Sequence, residues 1–284
     1  MKHEIGFHTN CRCAGTVKQT LELIKSASFD NVMLSVKADE LVEGLELCKN
    51  LGLDVPFVHL PYTPPSCPNI NNIWIQGAER DEIIQCMIDQ IKICAQYNIT
   101  IAIVHLTYGR AEIDGDANMG IEAVQRILKA TEHCNVKLAF ENLELPKYLD
   151  FILDNFKDER VGFCYDSGHH YLHAPNVDFI GKYGDRCIAI HLHDNLMDTG
   201  DTKNRDRDLH LLPFDGKVDF EKVMLDIAKT SYNGVVLLES TLCRPDIGFF
   251  FYERFTPAGF LLEAKIRAQK LAEMLATLKK GGNI

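Results

Sequence analysis

The sequence predicts an α/β protein, a single closed (β/α)8 barrel of parallel strands. Its length of 284 residues suits one such barrel, which commonly occupies about 250. Short β-branched runs alternate with longer amphipathic stretches throughout. No Pro/Gly/Ser linker or low-complexity tract interrupts them, so one domain over 1–284 is expected.

The expected strands are Glu4–His8, Asn31–Ser35, Val55–His59, Ile101–Leu106, Lys137–Asn142, Val161–Asp166, Cys187–His193 and Val235–Glu239. Most are near-continuous apolar runs, as strands buried on both faces must be. Helical periodicity falls between them, at Val17–Ala27, Ala38–Leu51, Glu79–Tyr97, Ile121–His133 and Phe220–Thr230. Asp219 is placed to cap the last of these. A final helix near Gly259–Lys279 is stopped by Gly281 and Gly282. A doubly wound open sheet is the competing arrangement. It favours a glycine-rich first turn, and the segment Thr9–Gly15 has no G-x-G-x-x-G.

Composition narrows the function classes. Hydrophobic residues are 46% and charged residues 25%, too apolar for a disordered chain. No apolar run reaches the length of a membrane span, and Met1–Gly6 lacks the apolar core of a signal peptide. The ten cysteines include Cys11-x-Cys13 but no Cys-x-x-Cys, which fits small apolar residues in a reducing cytoplasm. The net charge of −10 argues against broad nucleic-acid binding.

The strand ends carry the chemistry. Strands three to eight finish in or near His59, His105, Glu141, Asp166, His191 and Glu239. Parallel barrel strands point their C-terminal ends to one face, so these six side chains converge at the mouth. One polar residue at a strand end is ordinarily solvated or hydrogen-bonded. Six at the same depth, several of them carboxylates, repel and are costly to desolvate. A divalent cation relieves both problems, and imidazole with carboxylate suits Zn²⁺, Mn²⁺, Fe²⁺ or Co²⁺. His169 follows Asp166 by three residues, among further histidines. After strand seven, Asp208 and His210 are one residue apart, so an extended segment points both the same way. Lys203, Arg205 and Arg207 precede them as either phosphate ligands or solvated charges.

Two loops bear on specificity. Pro61–Gly77 holds four prolines and Trp74, the one tryptophan, and is expected to form a semi-rigid lid. Trp74 either stacks on a sugar face or packs against a neighbouring helix or subunit. Ile247–Phe255 is rich in aromatics and reads as a pocket wall or the interface of a homo-oligomer.

Tyr165–His169, His191–Asn195, Asp208–Phe220 and Val236–Ser240 resemble the xylose-isomerase-like TIM barrels, a family that includes sugar-phosphate isomerases and epimerases and the endonuclease IV group. His191-Leu192-His193-Asp194-Asn195 followed by Asp208-Leu209-His210-Leu211-Leu212-Pro213 is most similar to the isomerase/epimerase branch. That branch usually continues Gly-Glu-Gly, where this chain has Phe214-Asp215-Gly216. The resemblance implies a shared metal set at Glu141, Asp166, His191 and Glu239. It also implies that the endonuclease IV ligands beyond these four fall on His59, His105, His169, Asp208 and His210. One to three divalent ions follow: zinc if the histidine-rich set is filled, manganese, magnesium or cobalt if only four residues bind.

The function implied is isomerisation or epimerisation of a small carbohydrate, with or without phosphate. Glu141 and Glu239 would be the general base and acid around an enediolate, and His169 and His193 would bond substrate hydroxyls. A polyol dehydratase would use the same groups. The alternative is a zinc-dependent hydrolase of abasic DNA. Against it, the loop Val36-Lys37-Ala38-Asp39-Glu40 offers no Arg or aromatic to grip a bent duplex.

Overall fold

The computed structural model describes residues 3–196 and 208–281. Eight parallel strands run β1 (Ile5–His8), β2 (Asn31–Ser35), β3 (Val58–His59), β4 (Ile101–Val104), β5 (Lys137–Glu141), β6 (Val161–Asp166), β7 (Cys187–His191) and β8 (Val236–Leu238). Their spatial order is β7-β6-β5-β4-β3-β2-β1-β8. A parallel bridge between Leu192 and Leu238 closes the ring. Leu192 N–H donates to the Leu237 carbonyl and Glu239 N–H to the Leu192 carbonyl, at 2.9 and 3.0 Å. The fold is therefore the expected (β/α)8 barrel.

The helices are α1 (Val17–Ser26), α2 (Leu41–Leu51), α3 (Ala78–Gln96), α4 (Ala117–Ala130), α5 (Pro146–Asn155), α6 (Ser167–His173), α7 (Phe179–Tyr183), α8 (Phe220–Ala228) and α9 (Pro257–Gly281). Thr16 caps α1 and Asp219 caps α8 through side-chain oxygens, the latter as expected. Three short helices, α5 to α7, lie in stretches with no long apolar period. Their starts are local: Pro146 opens α5, Asp166 caps α6 and Asp178 caps α7.

The core has two parts. One is the belt between strands and helices. The other fills the barrel: Met33, Phe57, Ile103, Ala139, Cys164, Ala189 and Leu237 form a separate buried cluster. Strand side chains alternate between faces. Two residues beyond each of the last six stand His59, His105, Glu141, Asp166, His191 and Glu239. The interior layer is thus the floor on which the polar layer rests, and the period of two aims both inward.

The segment Pro61–Gly77 is packed more firmly than the expected semi-rigid lid. It contains a 3-10 helix, Ile70–Trp74, and buries Cys67, Ile70, Ile73 and Trp74. The Trp74 ring packs on Tyr148 at 4.6 Å, and its Nε1 donates to the Leu106 carbonyl at 2.7 Å. The indole is therefore committed to the core and cannot stack on a sugar; of the two roles expected, packing is the one found. Gly120 on α4 makes room for it, because a Cβ there would lie 2.1 Å from Trp74 Cζ3.

Gly120→Ala is expected to lower stability by about 1–3 kcal/mol, since the indole has no free space into which to retreat. Urea unfolding measures this; a variant as stable as the parent would contradict the packing described.

Candidate metal centre at the barrel mouth

Glu141 is the hub. Its carboxylate is 1% exposed and meets four imidazoles. Oε1 lies 2.9 Å from His169 Nδ1. Oε2 lies 3.2, 3.4 and 3.6 Å from His105 Nε2, His191 Nδ1 and His59 Nε2. His191 Nδ1 is shared in turn, at 3.1 Å from Glu239 Oε2 and 3.9 Å from Asp166 Oδ2. One ring nitrogen carries one proton and cannot serve three carboxylates. Both Glu141 oxygens, Asp166 Oδ2 and both His191 nitrogens are buried without a well-formed hydrogen bond. Orphaned donors and acceptors of this kind are what a cation satisfies.

The donor atoms fall into groups compact enough for an ion. Glu141, Asp166, His191 and Glu239 form one, with ligand atoms within 4.8 Å of one another. His59, His105 and Glu141 form a second, and His169, His193, Asp208 and His210 a third. All nine expected metal ligands thus gather at one mouth, and His193 joins them. Cys164 also neighbours Glu141 and His191. Burial pushes its thiol up to about 12, which makes it a poor ligand beside carboxylate and imidazole.

The third group depends on the turn after β7. Asp208 Oδ2 lies 2.6 Å from His210 Nε2 and 3.1 Å from His169 Nε2. The His193 and His210 rings stack at 3.9 Å, and His193 Nε2 lies 3.0 Å from Asp166 Oδ1. Asp194, a residue the sequence reading gave no role, organises this turn. Its carboxylate accepts backbone N–H groups from Asn195, Phe214, Gly216 and Val218 at 2.8 to 3.0 Å. Its main chain pairs both ways with Leu211 at 2.9 Å. Asn195 Nδ2 donates to Asp208 Oδ1 at 2.9 Å. His210 itself has a left-handed backbone, φ 48°, an outlier of the kind concentrated at functional sites.

Other supporting residues are His8, Asn142 and Tyr62. His8 ends β1 as the other six end theirs, so the same criterion identifies it; it faces Glu239 Oε1 at 3.9 Å. Asn142 straddles the Asp166 backbone, accepting its N–H at 2.8 Å and donating to its carbonyl at 2.9 Å. Tyr62 stacks on His105 at 4.0 Å.

The charges are strongly coupled. Burial alone would raise the Glu141 carboxyl, but His191 and His105 outweigh it and hold it well below its usual range. Burial opposes ionisation of Asp208 and Glu239 too, yet His210 and His169 around the first, and His191 beside the second, hold both low. Conversely, burial lowers His169 and His191 while neighbouring acids lift both well above an ordinary imidazole. Without a cation the cluster is therefore held together by imidazolium–carboxylate pairs. Burial outweighs the nearby Glu239 at His8 and lowers that imidazole to about 4.

A cavity of about 440 Å³ opens above these groups. His59, His105, His169, Asp208, His210 and Glu239 line it, with Tyr62, Tyr108, Arg12, Arg110 and Arg244 around them. His193 lies deeper, fully buried. Lys203, Arg205 and Arg207 fall outside the described residues. Of the aromatic segment 247–255, Tyr252 is buried while Phe250, Phe251 and Phe255 are exposed. Among the described residues, no helix is long and apolar enough to cross a membrane.

This chain belongs to the xylose isomerase-like TIM barrel family, whose model matches residues 19–250. An uncharacterised protein of Sinorhizobium fredii, y4fM, is 31% identical over 157 residues, covering 52% of this chain and 45% of that protein. The chain therefore spans about half the length of that relative. A D-tagatose 3-epimerase-like protein superposes with a TM-score of 0.73 at 17% identity, covering 98% of this chain and 99% of the other. The IolI protein, crystallised with a bound zinc atom, gives 0.70 at 15% identity, with 98% and 99% covered. At these identities the likeness is one of fold.

Adding Zn²⁺ or Mn²⁺ to chelator-treated protein is expected to raise Tm, and by more at alkaline than at acidic pH. The raised histidines give the cation-free cluster stability that is complete below about pH 6.5 and lost as pH rises through their folded values. Protons compete with the cation over the same range. Thermal scans at several pH values read this; a metal increment that shrinks as pH rises would contradict it.

Proposed function

We propose that this chain is a divalent-metal-dependent isomerase or epimerase acting on a small carbohydrate. Glu141, Asp166, His191 and Glu239 would hold the catalytic ion. When bound, such an ion supplies Lewis-acid polarisation of a substrate carbonyl. Glu141 and Glu239 carry the proton chemistry. The observation that carries this reading is their placement. They stand on β5 and just past β8, three strands apart, yet both carboxylates come within 3.4 Å of the same His191 nitrogen. Two carboxylates that reach one point from strands three apart would address different faces of a sugar carbon. One withdraws the proton next to the carbonyl and the other returns a proton, on the same face or the opposite one. Both are held ionised at neutral pH, so each is poised to accept first. His169, which lines the cavity, would orient a hydroxyl group, while His193 beneath it would position Asp166 and His210, and the buried floor of the barrel excludes water from below.

The third ligand group supports a second reading. Asp208, His210 and His169 adjoin the quartet, and a site with more than one cation suits hydrolysis of a phosphodiester, as at an abasic site in DNA. A dehydratase acting on a polyol would differ from the main reading only in expelling a hydroxyl after the same proton abstraction.

The test is incubation of metal-loaded protein with a panel of ketoses and aldoses in deuterated water. Deuterium should enter one carbon of at least one sugar. Glu141→Gln and Glu239→Gln should each slow that exchange by at least about 100-fold. Absence of exchange across the panel would contradict the proposal. Metal-dependent cleavage of an abasic oligonucleotide would replace it, and loss of water from a polyol would shift it to dehydration.

A further inference from the structure

Arg12 sits in the β1–α1 loop between two buried residues, Cys11 and Cys13. Its backbone is left-handed, φ 57°, where an L side chain is strained and glycine would be at ease. The turn is fixed from behind, because the Cys11 carbonyl accepts the Leu242 N–H at 3.0 Å from the β8 side. This conformation sends the guanidinium into the same cavity that the metal-site residues line, and into the adjoining groove of about 430 Å³ formed by Asn10, Thr16, Ser35 and Lys37. The side chain remains 41% exposed.

Its ion pair is weak by geometry. Arg12 Nη2 lies 3.6 Å from Asp246 Oδ1, beyond a good charge-assisted hydrogen bond. Asp246 is already engaged by Arg244, through Nε at 3.2 Å and Nη2 at 2.9 Å. Arg244 is further anchored by Nη1 to the Asp208 carbonyl. Two guanidinium groups thus share the Asp246 carboxylate at the cavity wall, and Arg12 holds the looser share. A planar guanidinium pairs bidentately with phosphate or carboxylate oxygens.

We propose that Arg12, backed by Arg244, is a specificity subsite for an anionic group of the substrate, a phosphate monoester or a carboxylate, at the β1–β8 side of the mouth. This deepens the carbohydrate reading and rests on it: one end of the substrate reaches the metal residues while its charged end meets Arg12. The incoming anion takes the place of Asp246 at Arg12, while Asp246 keeps its bonds to Arg244.

The test reads binding rather than turnover. Calorimetry on the full, metal-loaded chain compares sorbitol, sorbitol 6-phosphate and gluconate, none of which has a carbonyl to isomerise. At least one anion should bind tighter than sorbitol by roughly tenfold or more, the order expected of a bidentate charged contact. The favoured anion identifies the source of the charge. Arg12→Met should abolish that preference and Arg12→Lys should retain part of it. Arg12→Gly, which suits the left-handed backbone, should lose the preference with Tm unchanged or higher. Asp246→Asn should strengthen the preference. Equal binding of all three compounds to the parent, or a preference intact in Arg12→Gly, overturns the proposal. So does a lowered Tm for Arg12→Gly, which would make the residue a structural strap. Anion preference without deuterium exchange would leave this subsite standing and remove the isomerase reading alone.

Discussion

A carboxylate buried among imidazoles at the top of a filled barrel is the constraint on which the rest depends. Glu141 is nearly inaccessible to water, yet its neighbours hold it ionised. Such a group persists only if its charge is matched from every side. The histidines can match it as imidazolium, or a cation can match it while the histidines stay neutral. The second solution also accommodates Asp166 and Glu239, which a single shared His191 nitrogen cannot.

That constraint explains why the scaffold is built as it is. The interior layer from Met33 to Leu237 is small or medium in size at β5 to β7, where Ala139, Cys164 and Ala189 stand. Small residues there let the polar layer above draw inward until its ligand atoms lie within 4.8 Å. Asp166 serves twice, capping α6 by accepting the His169 N–H at 2.7 Å while its other oxygen remains for the site. One residue thereby fixes the position of another ligand. Asp194 does the same for the β7 turn, its four accepted N–H groups substituting for a longer strand.

Much of this was legible in the sequence because a barrel strand has a period of two and a fixed direction. Apolar runs located all eight strands, and the His, Asp or Glu that ends six of those runs located six of the candidate ligands. Asp208 and His210 followed from their spacing, and the buried Leu211 and Leu212 beside them hold the segment down. What escaped has physical reasons. Trp74 carries no periodic signal in a proline-rich loop, and its place in the core rests on Tyr148, Leu106 and Gly120, which are all distant in sequence. Asp194 gives no sign in sequence of its part, because its carboxylate turns into the loop and accepts backbone N–H groups from residues up to 24 positions away. Arg12 is flanked by cysteines in a segment without period, and its orientation follows from a single backbone dihedral.

The direct measurement of the central claim is elemental analysis of the purified protein beside its Glu141→Gln variant. The account predicts between one and three equivalents of a divalent metal per chain, with a clear loss in the variant, since Glu141 belongs both to the quartet with Asp166, His191 and Glu239 and to the group with His59 and His105. A parent protein that carries no metal and takes none up on addition would contradict it.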